Sequence, residues 1–339
     1  MADAHDDPRR ILRADLGLTA LADRLAVVGL RPGHGARVAV IDGGFDDGIG
    51  RFAAVERSGA VGGPREHAEH GARAVELLLG EDGIAPGIAA LGAFAVRLDR
   101  GGVDRRLAVA ISEAAAWLGH GGTLVVLVGL VVGGEAWPAH FATAVAEAIA
   151  SARRGGVVVI LPSGNRELEL GAARASDVWQ TQPRVAGARR VDRARAAAPE
   201  QGADRVSSGD GPSEPPGSRR EGARSLDVRE PGPVLVGGVW PGGRLVACGW
   251  GPEVACHAWA RRVPVRADGR WIGWSGTSAA AVIVAGLAAA MRGADPSGRW
   301  WSPAEVEAAL GDRRAGPWAH REEQPPDPDL VGALARLRA

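Results

Sequence analysis

Four short sequences in this chain carry side chains that could do acid–base or nucleophilic chemistry. Val40-Ile41-Asp42-Gly43-Gly44 puts a carboxylate at the end of an apolar run. Open α/β sheets present functional groups at such strand ends, although an Asp before glycine can also simply cap a turn. Glu69-His70-Gly71 opens a helical pattern. Gly71 would leave room beside the imidazole for a substrate backbone, and the plain alternative is a helix-end histidine without a task. Pro162-Ser163-Gly164-Asn165 follows a second apolar run. Its amide could donate to a developing oxyanion or fill an ordinary turn. Gly276-Thr277-Ser278 starts a long stretch of small residues. A serine there gains some acidity from the helix dipole and has an outward N–H, while a structural N-cap would look the same.

The background composition separates these readings. The chain has 339 residues, with 40 Lys plus Arg and 40 Asp plus Glu. All the cations are Arg, there is no Tyr, and Asn165 is the only Asn. Missing Lys and Tyr fit a GC-rich coding background. A lone Asn in such a chain is informative, because a generic turn would have taken Asp, Gly or Ser. Zero net charge leaves no basic excess for nucleic acid or anionic lipid.

Metal and thiol chemistry are disfavoured. His67 and His70 form HAEH, which lacks the spacing and the Glu position of the HExxH zinc pattern. Cys248 and Cys256 are too few for a structural zinc site, so no metal ligands are assigned. Two cysteines in a cytosolic chain are more often reduced and buried than bridged. The most apolar stretch, Leu124 to Val132, is about half of the ~20 residues a spanning helix needs. No secretory signal is readable, which gives a cytoplasmic expectation unless the N-terminus is mis-assigned, and no membrane partner.

The elements that must position these groups alternate. Residues 8–29 read as one amphipathic helix, with Gly17 as a weak point. Strands are expected at 36–42, 93–98, within 123–132 and at 157–162, with helices from His67, Leu107 and Phe141 between them. Short apolar strands separated by helices predict a mainly parallel sheet covered on both faces, an α/β three-layer sandwich. From 171 to 230 the composition is polar and charge-balanced, and reads as a disordered insertion. Order resumes at 233–240, with shorter apolar segments near Leu245–Cys248 and Val254–His257. A buried helix follows over 275–291, and another is capped by Ser302 with Glu305. The domains expected are a helical extension over 1–35, a catalytic domain over 36–312 and a tail with a short helix over 313–339.

Asp, then His, then the amide donor, then Ser is the chain order of subtilisin-type serine peptidases. Together with ARVAVIDGGF, EHGARAVELLLG, VVVILPSGN and SGTSAAAVIVAGLAAA, it makes the chain resemble the subtilase family over roughly 36–165 and 233–312. The resemblance implies a subtilisin-like sheet, a triad of Asp42, His70 and Ser278, and Asn165 as oxyanion donor. It also implies a peptide-lining segment around Gly129 and Gly133, a peptide or protein substrate, and a monomer; a calcium ion would be compatible with it. Trp271 and Trp274 precede Ser278 and either line the cleft or fill core gaps, so Trp274 is kept as a substrate-binding candidate. The sequence departs from the family after Ser278, where Ala279-Ala280-Ala281-Val282 replaces a Met-Ala-Ala-Pro-like run. The activity implied is endopeptidase. Two rivals stand beside it: a catalytically silent peptide-binding module, and a dedicated leader-peptide maturation protease.

Overall fold

The computed structural model describes residues 8–58, 65–80, 82–98, 101–132, 135–170, 232–241, 244–251, 253–267, 269–292 and 301–310. The expected insertion over 171–230 and the tail over 313–339 lie outside the described residues.

Seven strands form one parallel sheet: β1 Arg37–Asp42, β2 Val55–Ser58, β3 Ala90–Ala95, β4 Thr123–Val126, β7 Val158–Pro162, β8 Val234–Val239 and β9 Val254–Trp259. Their order is β2-β3-β1-β4-β7-β8-β9, and every neighbouring pair is parallel. Two antiparallel hairpins stand apart from it, β5 Leu130–Val132 with β6 Glu135–Trp137, and β10 Val263–Ala267 with β11 Arg270–Trp274. The helices are α1 Pro8–Asp15, α2 Leu18–Ala26, α3 Arg65–Leu79, α4 Val103–Leu118, α5 Thr143–Arg154, α6 Thr277–Arg292 and α7 Pro303–Leu310.

Strand periodicity divides the core into two layers. Val38, Val40, Val125 and Ile160 face one cluster, which also holds residues of α1, α2, α3 and α6. Ala39, Ile41, Leu124, Val126 and Val159 face the other, with α4 and α5. Successive side chains of a strand point to opposite faces, so strands covered on both sides must be apolar at every position. This is the expected three-layer α/β arrangement.

β1 lies between β3 and β4. The chain leaves β1 toward the β2–β3 edge and later returns to build β4, β7, β8 and β9 on the other side. The carboxyl end of β1 is therefore a topological switch point, where α/β sheets open a crevice. Asp42 is the last residue of β1.

The helix expected over 8–29 is two helices. Gly17 sits at φ 68°, ψ 7° and breaks the helical path, which glycine does without a Cβ penalty. The run 123–132 is likewise divided between β4 and β5. β2 and the β10–β11 hairpin had no counterpart among the expected strands. The capping box expected at α7 is present: Glu305 N–H donates to Ser302 Oγ at 3.2 Å and Ser302 N–H to Glu305 Oε2 at 2.7 Å. Cys248 and Cys256 are both free and buried. No helix among the described residues is long and apolar enough to cross a membrane.

Candidate active site

Asp42 is nearly enclosed, and both carboxylate oxygens are occupied. Oδ1 accepts from the Gly43 N–H at 2.6 Å, and Oδ2 lies 2.6 Å from His70 Nδ1. An acceptor-only carboxylate selects the tautomer with its proton on Nδ1, which leaves Nε2 as the basic nitrogen. The His70 side chain is 29% exposed, against 6% for that of Asp42, so the imidazole links a buried anion to the surface.

Close approach of α3 to β1 makes this contact, and two glycines permit it. A Cβ on Gly43 would lie 2.8 Å from Leu98 Cδ1 and 3.0 Å from His67 Cβ. A Cβ on Gly71 would collide with the Gly44 carbonyl and the Phe45 ring. Gly71 is buried, so its small size serves helix packing, and the expected space for a substrate backbone is filled by Gly44 and Phe45. A further tie comes from Glu76 of α3, a buried carboxylate that accepts from Arg51 Nη2 at 2.6 Å.

Ser278 is the second residue of α6, a helix buried along its whole length. Gly276 precedes the helix at φ 129°, a backbone geometry that side chains rarely adopt, and its N–H donates to the Ala260 carbonyl at 2.9 Å. Asn165 bridges to this corner from the loop after β7. Its Oδ1 accepts from the Thr277 N–H at 2.7 Å and from Thr277 Oγ1 at 3.0 Å. The backbone donor can only meet an acceptor, so the amide orientation is fixed by chemistry. Nδ2, the donor end, is thereby turned away from Thr277. Asn165 is thus tied to the residue immediately before Ser278. Hydrogen bonding brings Asp42 to His70 and Asn165 to Thr277; among the described residues no hydrogen bond joins His70 to Ser278.

Trp274 ends β11 and is 3% exposed. Its ring meets the His70 ring edge-on, with centroids 5.1 Å apart and planes at 83°. Gly129 lies at the foot of the β5–β6 hairpin and is exposed, facing the Trp137 carbonyl. Gly133 lies outside the described residues. The contact of Trp274 with His70 was not legible in the sequence. The signal for its hairpin was there, however: Asp268-Gly269 separates Val263 and Val265 from Ile272 and Trp274, and Gly269 has φ 73°.

The thiols are poor rivals for the nucleophile. Burial pushes the Cys256 thiol up to about 12 and raises Cys248 as well, so neither supplies thiolate near neutrality. Among the described residues no three His, Cys, Asp or Glu side chains converge as a metal cluster would require.

The parallel sheet, the buried small-residue helix and the carboxylate at the switch point define a subtilisin-like fold, and comparison with solved structures gives the same class. No protein-family model and no curated protein matches the sequence. A cold-adapted subtilisin-like serine proteinase superposes with a TM-score of 0.52 at 17% identity, covering 83% of each chain. The protease domain of PatA superposes with a TM-score of 0.61 at 18% identity, covering 91% of this chain and 98% of that domain. The prenylagaramide maturation protease PagA gives 0.59 at 20% identity, covering 95% and 98%.

Proposed function

We propose that this protein is a serine endopeptidase acting through Asp42, His70 and Ser278, with Asn165 as oxyanion donor. Ser278 Oγ attacks the scissile carbonyl while His70 Nε2 takes its proton. Asp42 holds the Nδ1–H tautomer and stabilises the imidazolium that forms. The tetrahedral oxyanion receives hydrogen bonds from Asn165 Nδ2 and the Ser278 N–H. Collapse expels the amine, protonated by His70, and leaves an acyl-enzyme. Water then attacks that ester with His70 again as base. The observation that carries this reading is the 2.6 Å contact of His70 Nδ1 with a carboxylate whose other oxygen is already bonded to Gly43.

Within that activity, removal of a leader segment from one precursor is the favoured task. PagA is described as a maturation protease, and it and the PatA protease domain match nearly the full length of this chain. The test is digestion of casein and of an activated ester by the wild type and by Ser278→Ala. Ester hydrolysis lost with Ser278→Ala, together with little casein cleavage, is expected. Rapid general digestion of casein would count against the maturation task, and unchanged hydrolysis by Ser278→Ala against the catalytic assignment.

A further inference from the structure

Arg9 is the second residue of α1, yet it is only 1% exposed. It is held inside by α1 and α2, whose Leu12, Leu18, Leu21 and Leu25 are buried in the core. Nη1 donates to the Leu77 carbonyl at 3.3 Å and to the Asp82 carbonyl at 3.4 Å. Leu77 lies in the last turn of α3, the helix that carries His70, and α3 has no basic residue of its own in that turn. A cation at a helix C-terminus bonds carbonyls that lack an intrahelical partner and meets the negative end of the dipole. Arg9 supplies this cation from another element.

The same guanidinium reaches the β10–β11 hairpin. Its Cζ lies 5.4 Å from the centroid of the Trp271 ring, within cation–π range. Trp271 is on β11, three residues before Trp274, whose ring meets that of His70 at 5.1 Å. α3 packs against β10 of this hairpin, and two ring contacts tie it to β11: His70 with Trp274 directly, and Leu77 with Trp271 through Arg9. The spacings agree. Leu77 is seven residues beyond His70, about 10 Å along a helix that rises ~1.5 Å per residue. Trp271 and Trp274 are also about 10 Å apart along a strand that rises ~3.3 Å per residue. A single edge contact between two rings leaves their tilt soft, and a second tie at that distance restrains it.

We propose that Arg9 is a positioning residue for His70. Through it the N-terminal extension fixes the tilt of the β10–β11 hairpin on α3, and so keeps the Trp274 ring against the imidazole in the orientation that presents Nε2 to Ser278. Loss of Arg9 lowers kcat and leaves KM nearly unchanged, because what changes is the orientation of the base and not the binding of the peptide. The effect on catalysis rests on the peptidase reading; the control of the Trp274–His70 contact by Arg9 does not.

Two readouts test it. The first is the NMR signature of the ring contact, measured on the full chain carrying Ser278→Ala. The ring current of Trp274 displaces the His70 ring-proton resonances, and Trp274→Leu gives their positions without it. Arg9→Met, which keeps a long apolar stem, and Trp271→Leu, at the 36%-exposed end of the brace, are each expected to move them toward the Trp274→Leu positions. The second readout is kcat and KM on an activated ester with Ser278 intact. Each variant should lose about 2–10-fold in kcat, the range an aromatic pair is worth, with KM nearly unchanged. In the Trp274→Leu background the Arg9→Met loss should vanish, because both act through one contact. Thermal melting confirms folding, and Trp271→Leu carries the test if Arg9→Met does not fold. His70 resonances that stay in place in a folded variant, or an Arg9→Met loss that persists in full beside Trp274→Leu, overturn the proposal. An active wild type with unmoved resonances removes only the brace, and moved resonances in a chain without esterase activity remove only the peptidase reading.

Discussion

Replacing Asn165 separates its tether to Thr277 from the oxyanion role proposed for it. The side chain tethers the start of α6 through Oδ1, which accepts from the Thr277 N–H and Oγ1 at 2.7 and 3.0 Å. Its Nδ2 is the donor that the proposed mechanism directs at the oxyanion. Asn165→Asp keeps an acceptor for Thr277 and removes the donor; Asn165→Ala removes both. A hydrogen bond of this kind contributes ~0.5–1.5 kcal/mol, and both Thr277 donors end on the one Oδ1, so its loss leaves a buried N–H and hydroxyl without that acceptor. Asn165→Ala should therefore lower the unfolding free energy by about 1–2 kcal/mol, while Asn165→Asp changes it little. For kcat the ordering differs. Loss of the oxyanion donor costs ~10²–10³, the size found for the corresponding donor in subtilisin, and Asp adds a repulsive charge. Both variants should fall by at least that factor, with Asp no better than Ala. The assay is kcat on an activated ester beside urea unfolding midpoints. Near wild-type kcat in Asn165→Asp would refute the donor role. Unchanged stability in Asn165→Ala would refute the tether.

Three further outcomes are expected. Gly71→Ala drives a methyl into the Gly44 carbonyl and the Phe45 ring, so it should destabilise by ~1–3 kcal/mol and reduce kcat by displacing His70; unaltered kinetics and melting would contradict the packing argument. Trp274→Leu removes the ring contact to His70, an aromatic pair worth ~0.5–1.5 kcal/mol, so kcat on a small ester should drop about 2–10-fold with KM nearly unchanged, and Trp274→Phe should recover most of it. Burial lowers His257 from 6.5 to about 4, so the unfolded chain takes up this proton first. Stability is then fully present above pH 6.5 and falls as pH drops toward 4, by on the order of 3 kcal/mol from this residue. His140 shifts in the same direction, so His257→Phe should remove about half of the slope in urea midpoints against pH; an unchanged slope would show that His257 is not its source.

Much of this arrangement was legible because it is written in local pattern. β1, β7 and β8 are short apolar runs, and burial on both faces of a parallel sheet demands such runs. α6 could be read as buried because its residues are small and apolar on every side. The glycines around Asp42 and His70 could be seen but not interpreted. Gly71 was expected to face substrate, yet what it meets is the Gly44–Phe45 segment, and that neighbour is set by tertiary packing. β2 was hidden because Val-Glu-Arg-Ser carries no apolar run. The Trp274–His70 pair joins residues from distant parts of the chain, and no spacing rule reports it.

The central claim is that His70, held by Asp42, activates Ser278. Labelling of the native chain with a fluorophosphonate, followed by mapping of the modified residue, tests it most directly. The account predicts stoichiometric labelling at Ser278, lost on unfolding and in Ser278→Ala, and slowed by orders of magnitude in His70→Ala and Asp42→Asn. A folded wild-type chain that remains unlabelled, or that labels equally fast without His70, would contradict it.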